Sequence, residues 1–327
     1  MKRKRRNAMS FKRIFRRSVR IGSVFMVGAM CLLWMVCCLD AREVTPAEKK
    51  AYLYAVGQAQ YPTQNEISRG LLAVVPGYDR INAERTYGEG IRWEGTPGIS
   101  RVLVVSFMSR ADYDKYYRDN LEQHLESYAL KKSLWVTVAP EMSWYFFRKP
   151  LCPPHPGRVI QALGLNPGMD YEVLVEMWVD YVNLFRPAPD PEITDHQSEL
   201  AYQIAENLWI FPSDLNAFLK LDDTQMYMDS AWATPVTFRE WFMNRAQTIY
   251  TTTNEADPNT WGWPWTRLGY TYDWGNRVSP AGLSEFILKI NPNQNGGEVT
   301  VKLERAIDCT DPAWNRYFHC TDFDNER

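Results

Sequence analysis

No acidic residue occurs in the first 39 positions of this chain, and between Ile21 and Leu39 there is no charge of either sign. These absences exclude an ordinary solvated start. The first twenty residues hold ten cations, from Lys2 to Arg20, and the uncharged stretch follows at once. A basic segment before an apolar one is the order of a secretory signal, with the cations held on the cytoplasmic side and the remainder sent across. The uncharged stretch also approaches the roughly 20 residues that span a bilayer. Residues 1–41 therefore read as a signal peptide cleaved after Ala41, or as an uncleaved anchor whose residues 21–39 are the only membrane contact. Lipoprotein processing fits poorly, because neither Cys37, after Val36, nor Cys38, after Cys37, follows a small residue. The expected location is periplasmic or secreted. With the anchor retained, it is the inner membrane with the body outside the cytoplasm.

Cations are scarce in the body of the chain. Removing the ten leader cations and Asp40 from 37 Lys and Arg and 39 Asp and Glu leaves 27 cations against 38 acids, a formal charge of −11 on residues 42–327. A body this acidic argues against nucleic acid as a partner and against binding to anionic lipid surfaces. Cysteine is scarce too. Three of six lie in the leader, and the body keeps Cys152, Cys309 and Cys320. An oxidising compartment permits disulfides. Cys309 and Cys320 are close enough in sequence to staple the C-terminal tail, worth on the order of 3 kcal/mol, with Cys152 left over. The alternative is that all three are small apolar filler.

Motifs that announce a cofactor are missing. Met108-Ser109-Arg110-Ala111 is no dinucleotide fingerprint, no Gly-x-Ser-x-Gly elbow occurs, and neither a His-Glu-x-x-His helix nor an Asp-x-Asp-x-Asp-Gly loop is present. The four histidines, His124, His155, His196 and His319, are scattered. No cofactor and no metal are expected.

Hydrophobic periodicity predicts an α+β fold: a mixed sheet with a βαβ-like unit and a C-terminal antiparallel hairpin, helices packed on the sheet. Thr45-Pro46-Ala47-Glu48 is a capping box opening a helix to about Gln58. RVLVVSFM, residues 101–108, and LWVTV, 134–138, read as strands, with a helix over 111–129 between them, the order of a crossover. A short helix over 158–163 ends at Gly164. Residues 171–182 alternate as a strand with Glu172, Glu176 and Asp180 on one wet face. Capping boxes at Thr194 and Thr237 predict two more helices, and Ser213 a short one. Leu268 to Trp274 alternates as β structure, and residues 283–290 and 298–303 read as a hairpin joined by Asn291 to Gly297. Residues 42–327 are read as one domain. Length also permits two, divided near the prolines at 187–191.

Two constellations invite a functional reading. Asp190, Glu192, Asp195 and His196 crowd four ionisable side chains into seven residues, a density that suits acid–base work or a cation. Acids at a helix start also serve as caps. Trp261, Trp263 and Trp265 would point to one side of an extended segment about 7 Å apart. With Trp274 they form an aromatic rim on which sugar rings or flat ligands could stack, while Arg267, Asp273 and Asn276 bind hydroxyls. The bland alternative is that these aromatics are core. Glu141, after the second strand, reads as a helix-start acid or a catalytic acid at a strand end. The expected function is non-catalytic binding of a glycan or envelope protein through the Trp-rich rim. The alternative is an exported glycoside hydrolase drawing on the acids of 190–196 and Asp273.

Overall fold

The computed structural model describes residues 43–74, 91–131, 133–147, 152–189, 191–198, 238–288 and 299–319, with four short strands between 202 and 237. Its elements belong to one unit, Val44–Arg327. The architecture is α+β, built on a seven-stranded sheet. The β-branched run Val102–Met108 forms β1 and is buried on both faces. Tyr128–Ala129 is β2, Leu134–Val138 β3, Val173–Val179 β4 and Leu184–Phe185 β5. Phe286–Leu288 is β12 and Thr300–Asp308 β13, and the sheet runs β2-β13-β4-β1-β3-β12-β5. Four small strands pair outside it: β6 (Tyr202–Ala205) with β7 (Leu208–Ile210), and β8 (Met226–Tyr227) with β9 (Val236–Thr237). A further hairpin joins β10 (Tyr270–Tyr272) to β11 (Ala281–Ser284).

Alternation along the strands sorts the core into two layers. Leu103, Val105 and Phe107 of β1 join Leu174 and Trp178 of β4 under helices α1 (Pro46–Ala59), α4 (Ala139–Tyr145), α5 (Pro156–Ala162), α6 (Phe238–Thr248) and α7 (Ala313–Tyr317). Val102, Val104, Val173, Val175, Met177 and Val179 face the opposite layer, covered in part by α2 (Arg110–Tyr116) and α3 (Arg118–Glu122). The predicted box at Thr45 caps α1 with both reciprocal bonds present. Tyr52 of α1 sits between Trp261 and Trp274, each ring 5.9 Å away, and its hydroxyl donates to Gly262 O at 2.9 Å. Gly262 is required there, because a Cβ would meet the Tyr250 carbonyl at 2.5 Å.

Four expectations are corrected. First, β1 and β3 are antiparallel neighbours, Val104 opposite Val138, so the unit is no βαβ crossover. The helix between them breaks at Tyr117, which packs under Tyr128, and the chain reverses at His124 (φ 49°) to lay β2 along β13. Second, the strands near 286 and 300 do not form a hairpin. β12 pairs with β3 and β5, β13 with β4 and β2, and three strands lie between them. Third, β4 has no wet face. Glu176 is 2% exposed and accepts from Arg305 Nε at 2.5 Å, while Arg305 lies over the Tyr317 ring. Fourth, no helix starts at Thr194. The Glu192 carboxylate accepts from the Thr194 hydroxyl and the Thr194 and Asp195 amides, and Asp195 Oδ1 accepts from Gln197 N at 3.0 Å. These local bonds satisfy the donors a helix would have used. The short helix expected at Ser213 lies outside the described residues.

Cys309 is in no disulfide among the described residues, and Cys320 lies outside them. Cys152 is disulfide-bonded. Its Sγ is 3.5 Å from the Phe318 carbonyl oxygen. Among the described residues no helix is long and apolar enough to cross a membrane. The apolar stretch 21–39 lies outside them.

Candidate functional site

The run expected as one strand over 283–290 divides at Glu285. Before it, β11 pairs with β10; after it, β12 joins the main sheet. Glu285 is the joint. Its amide donates to Gly269 O at 2.9 Å. Gly269 itself sits at φ 74°, and a Cβ there would come within 2.5 Å of the Arg186 side chain. Held there, Glu285 lines a cavity of about 400 Å³.

The cavity lies between the sheet and the segments around 163–171, 245–249 and 263–272. Aromatic side chains form part of its wall, Trp135 of β3, Trp263, Trp265, Tyr171 and Tyr272 among them. Trp135 and Trp265 meet edge to face at 6.2 Å. Arg245 of α6 lines the same space and lies over the Trp135 ring at 5.3 Å. Asp170, which is exposed, and the half-buried Asp112 add negative charge to the lining. An apolar enclosure with few convergent polar groups is the usual form of a small-molecule site. Glu285 Oε2 is fully shielded from solvent and has no hydrogen-bond partner among the described residues. Burial pushes this carboxyl well above the usual range, against the pull of Arg245.

A second perturbed carboxyl stands next door. Glu141 lies in the first turn of α4, as its helix-start reading expects, but its carboxylate turns inward. It accepts from Ser284 N at 3.1 Å, Ser284 Oγ at 3.2 Å and Thr137 Oγ1 at 3.3 Å. Burial raises its pKa to about 7, with these bonds and the Arg186 charge holding it from going higher. Thr137 also lines the cavity.

The predicted site residues scatter. Trp263 and Trp265 line the cavity, whereas Trp261 packs on Tyr52 and Trp274 donates its indole N–H to Leu165 O at 3.1 Å. These tryptophans are therefore not an exposed row. Trp261, Trp265 and Trp274 are buried, and Trp265 N donates to Trp263 O at 2.9 Å, which folds the segment out of a fully extended form. Arg267 is buried, donating to Gln60 O at 2.7 Å. Asn276 caps its own turn through Val278 N. Asp273 is fully buried and engaged by Arg158 through bonds of 2.8 and 2.5 Å, and by the Tyr145 hydroxyl at 2.8 Å. Asp190 lies outside the described residues. Glu192, Asp195 and His196 belong to a turn gathered round buried Arg186, whose guanidinium donates to the carbonyls of Leu72, Glu192 and Asp195. Burial opposes ionisation of Glu192, but the Thr194 bonds outweigh it and lower its pKa; burial raises that of Asp195, and neighbouring Glu192 adds to the rise. His196 Nδ1 is 2.7 Å from Leu71 O. None of these described acids, nor His196, lines the cavity.

Sequence reasoning misses Glu285 and Arg245. A signal for the first exists: Glu285 is a lone acid inside the apolar run Leu283 to Leu288. Among the described residues no cluster of three or more His, Cys, Asp or Glu is placed to hold a metal ion. No protein-family model, curated protein or solved structure matches the chain.

Proposed function

We propose that this is an exported protein that binds a small carbohydrate in the aromatic cavity beside Trp263. The carrying observation is the pocket itself: about 400 Å³, half open and lined in part by Trp135, Trp263 and Trp265, with hydroxyl and carboxyl groups interspersed. Sugar rings present apolar faces that stack on indoles and hydroxyls that need polar partners, and the lining offers both. The basic and apolar leader supports export, as does the disulfide at Cys152. Envelope glycan is the matching source of ligand outside the cytoplasm. Tryptophan fluorescence of the full-length chain, titrated with mono- and disaccharides, tests the reading. Saturable quenching by at least one sugar is expected, and Trp263→Ala should weaken it about tenfold, the worth of one aromatic stacking partner. A panel in which no sugar perturbs the fluorescence sinks the proposal.

Hydrolysis remains the second reading on one observation, a carboxyl with raised pKa in an apolar pocket, which is the environment of a general acid. It would use Glu285 with Asp112 or Asp170 as the second carboxylate, in place of Asp273 and the 190–196 acids. Release of nitrophenol from nitrophenyl glycosides, abolished by Glu285→Gln, would decide for it.

A further inference from the structure

We propose that Glu285 and Arg245 form the polar end of this cavity and select a neutral sugar, holding one ring hydroxyl between them. The hydroxyl donates to the Glu285 carboxyl and accepts from the Arg245 guanidinium. This inference rests on the carbohydrate reading above and names the residues that set its specificity.

Three observations carry it. Glu285 Oε2 is buried and lacks a protein partner among the described residues, and Glu285 is one of the residues that line the cavity, so a hydroxyl bound there relieves a costly state once the carboxyl turns to meet it. The backbone at 285 is held on both sides, by pairing of β11 and of β12 and by the bond to Gly269 O, so the root of the side chain is placed before any ligand arrives. Arg245 borders the same space with its guanidinium over the Trp135 ring, which puts a cation and an aromatic wall side by side. Selection against acids follows from the balance of the lining, where Asp112 and Asp170 outnumber the single cation Arg245 and an anionic sugar meets a net negative wall.

The test uses the purified full-length chain at pH 7, with glucose, N-acetylglucosamine and glucuronic acid as probes and tryptophan fluorescence as the readout. A neutral sugar should bind at least about tenfold more tightly than glucuronic acid. Glu285→Ala should weaken the neutral sugar by about tenfold or more, since a site built to pair a hydroxyl is left unpaired. Glu285→Gln, which keeps the volume and one donor and acceptor, should fall between the two, and it decides the matter if the alanine variant does not fold. If Trp263→Ala abolishes binding while Glu285→Gln and Glu285→Ala leave it unchanged, this inference fails and the carbohydrate reading stands. Glucuronic acid binding as tightly as glucose also overturns it. Binding of no sugar at all overturns both.

Discussion

Ionisation of Glu141 should cost the fold stability as pH rises towards neutrality. Its carboxyl moves from an ordinary pKa of 4.5 to about 7 in the folded chain, chiefly through burial. Below 4.5 it is protonated in both states and the fold carries no penalty. Between 4.5 and about 7 the unfolded chain releases the proton while the folded chain retains it, so unfolding gains ground with each step in pH. Above about 7 both forms are ionised and the loss is complete. At about 1.4 kcal/mol per pH unit the full swing is on the order of 3 kcal/mol. That figure is an upper bound, because the side chain is only partly buried. Glu141→Gln can still accept from Ser284 N and has no proton to exchange. Urea denaturation followed by tryptophan fluorescence should be run on both proteins from pH 4 to pH 8. The stability of the native protein relative to the variant should decline across that window by about 1–3 kcal/mol. A difference constant to within about 0.5 kcal/mol, the range of an inconsequential substitution, refutes the account of Glu141 as a buried acid.

Two further outcomes separate structural from functional roles. Asp273→Asn should lower stability by about 3 kcal/mol, because it leaves Arg158 without its anionic partner in a buried setting. Measured by thermal melting, a variant as stable as the native chain would restore Asp273 as a catalytic candidate. Non-reducing peptide mapping should find Cys152 joined to Cys320, which lies two residues beyond the Phe318 carbonyl that touches the Cys152 sulfur. A Cys309–Cys320 peptide would instead favour the pairing that sequence proximity predicts.

The parts of the fold legible in the sequence are those decided locally. A capping box writes the start of α1, Gly164 with φ 65° ends the turn after α5, and β-branched density writes β1 and β3. Pairing is decided elsewhere. Nothing within residues 286–288 states that Ile287 will lie opposite Trp135 and Phe185 rather than fold back on the strand near 300. The same gap hides the break at Glu285, since one apolar run serves two sheets. Glu176 misleads for a related reason: an acid in an alternating strand signals a solvated face unless a distant cation, here Arg305, covers it. Of the site, aromatic density marks Trp263 and Trp265, while Trp261 and Trp274 have the same sequence character and turn into the core. Composition cannot separate them, because the choice depends on Tyr52 more than two hundred residues earlier in the chain.

The joint at Glu285 has a consequence for assembly. The chamber is bounded by β3, α6, the 263–272 segment and a residue held between two sheets, pieces far apart along the chain. No fragment owns it, and it comes into being only when the last of these has docked. A molecule seated in the chamber would have nothing to grip in a half-built chain, and all of its affinity would be added to the cohesion of the finished molecule.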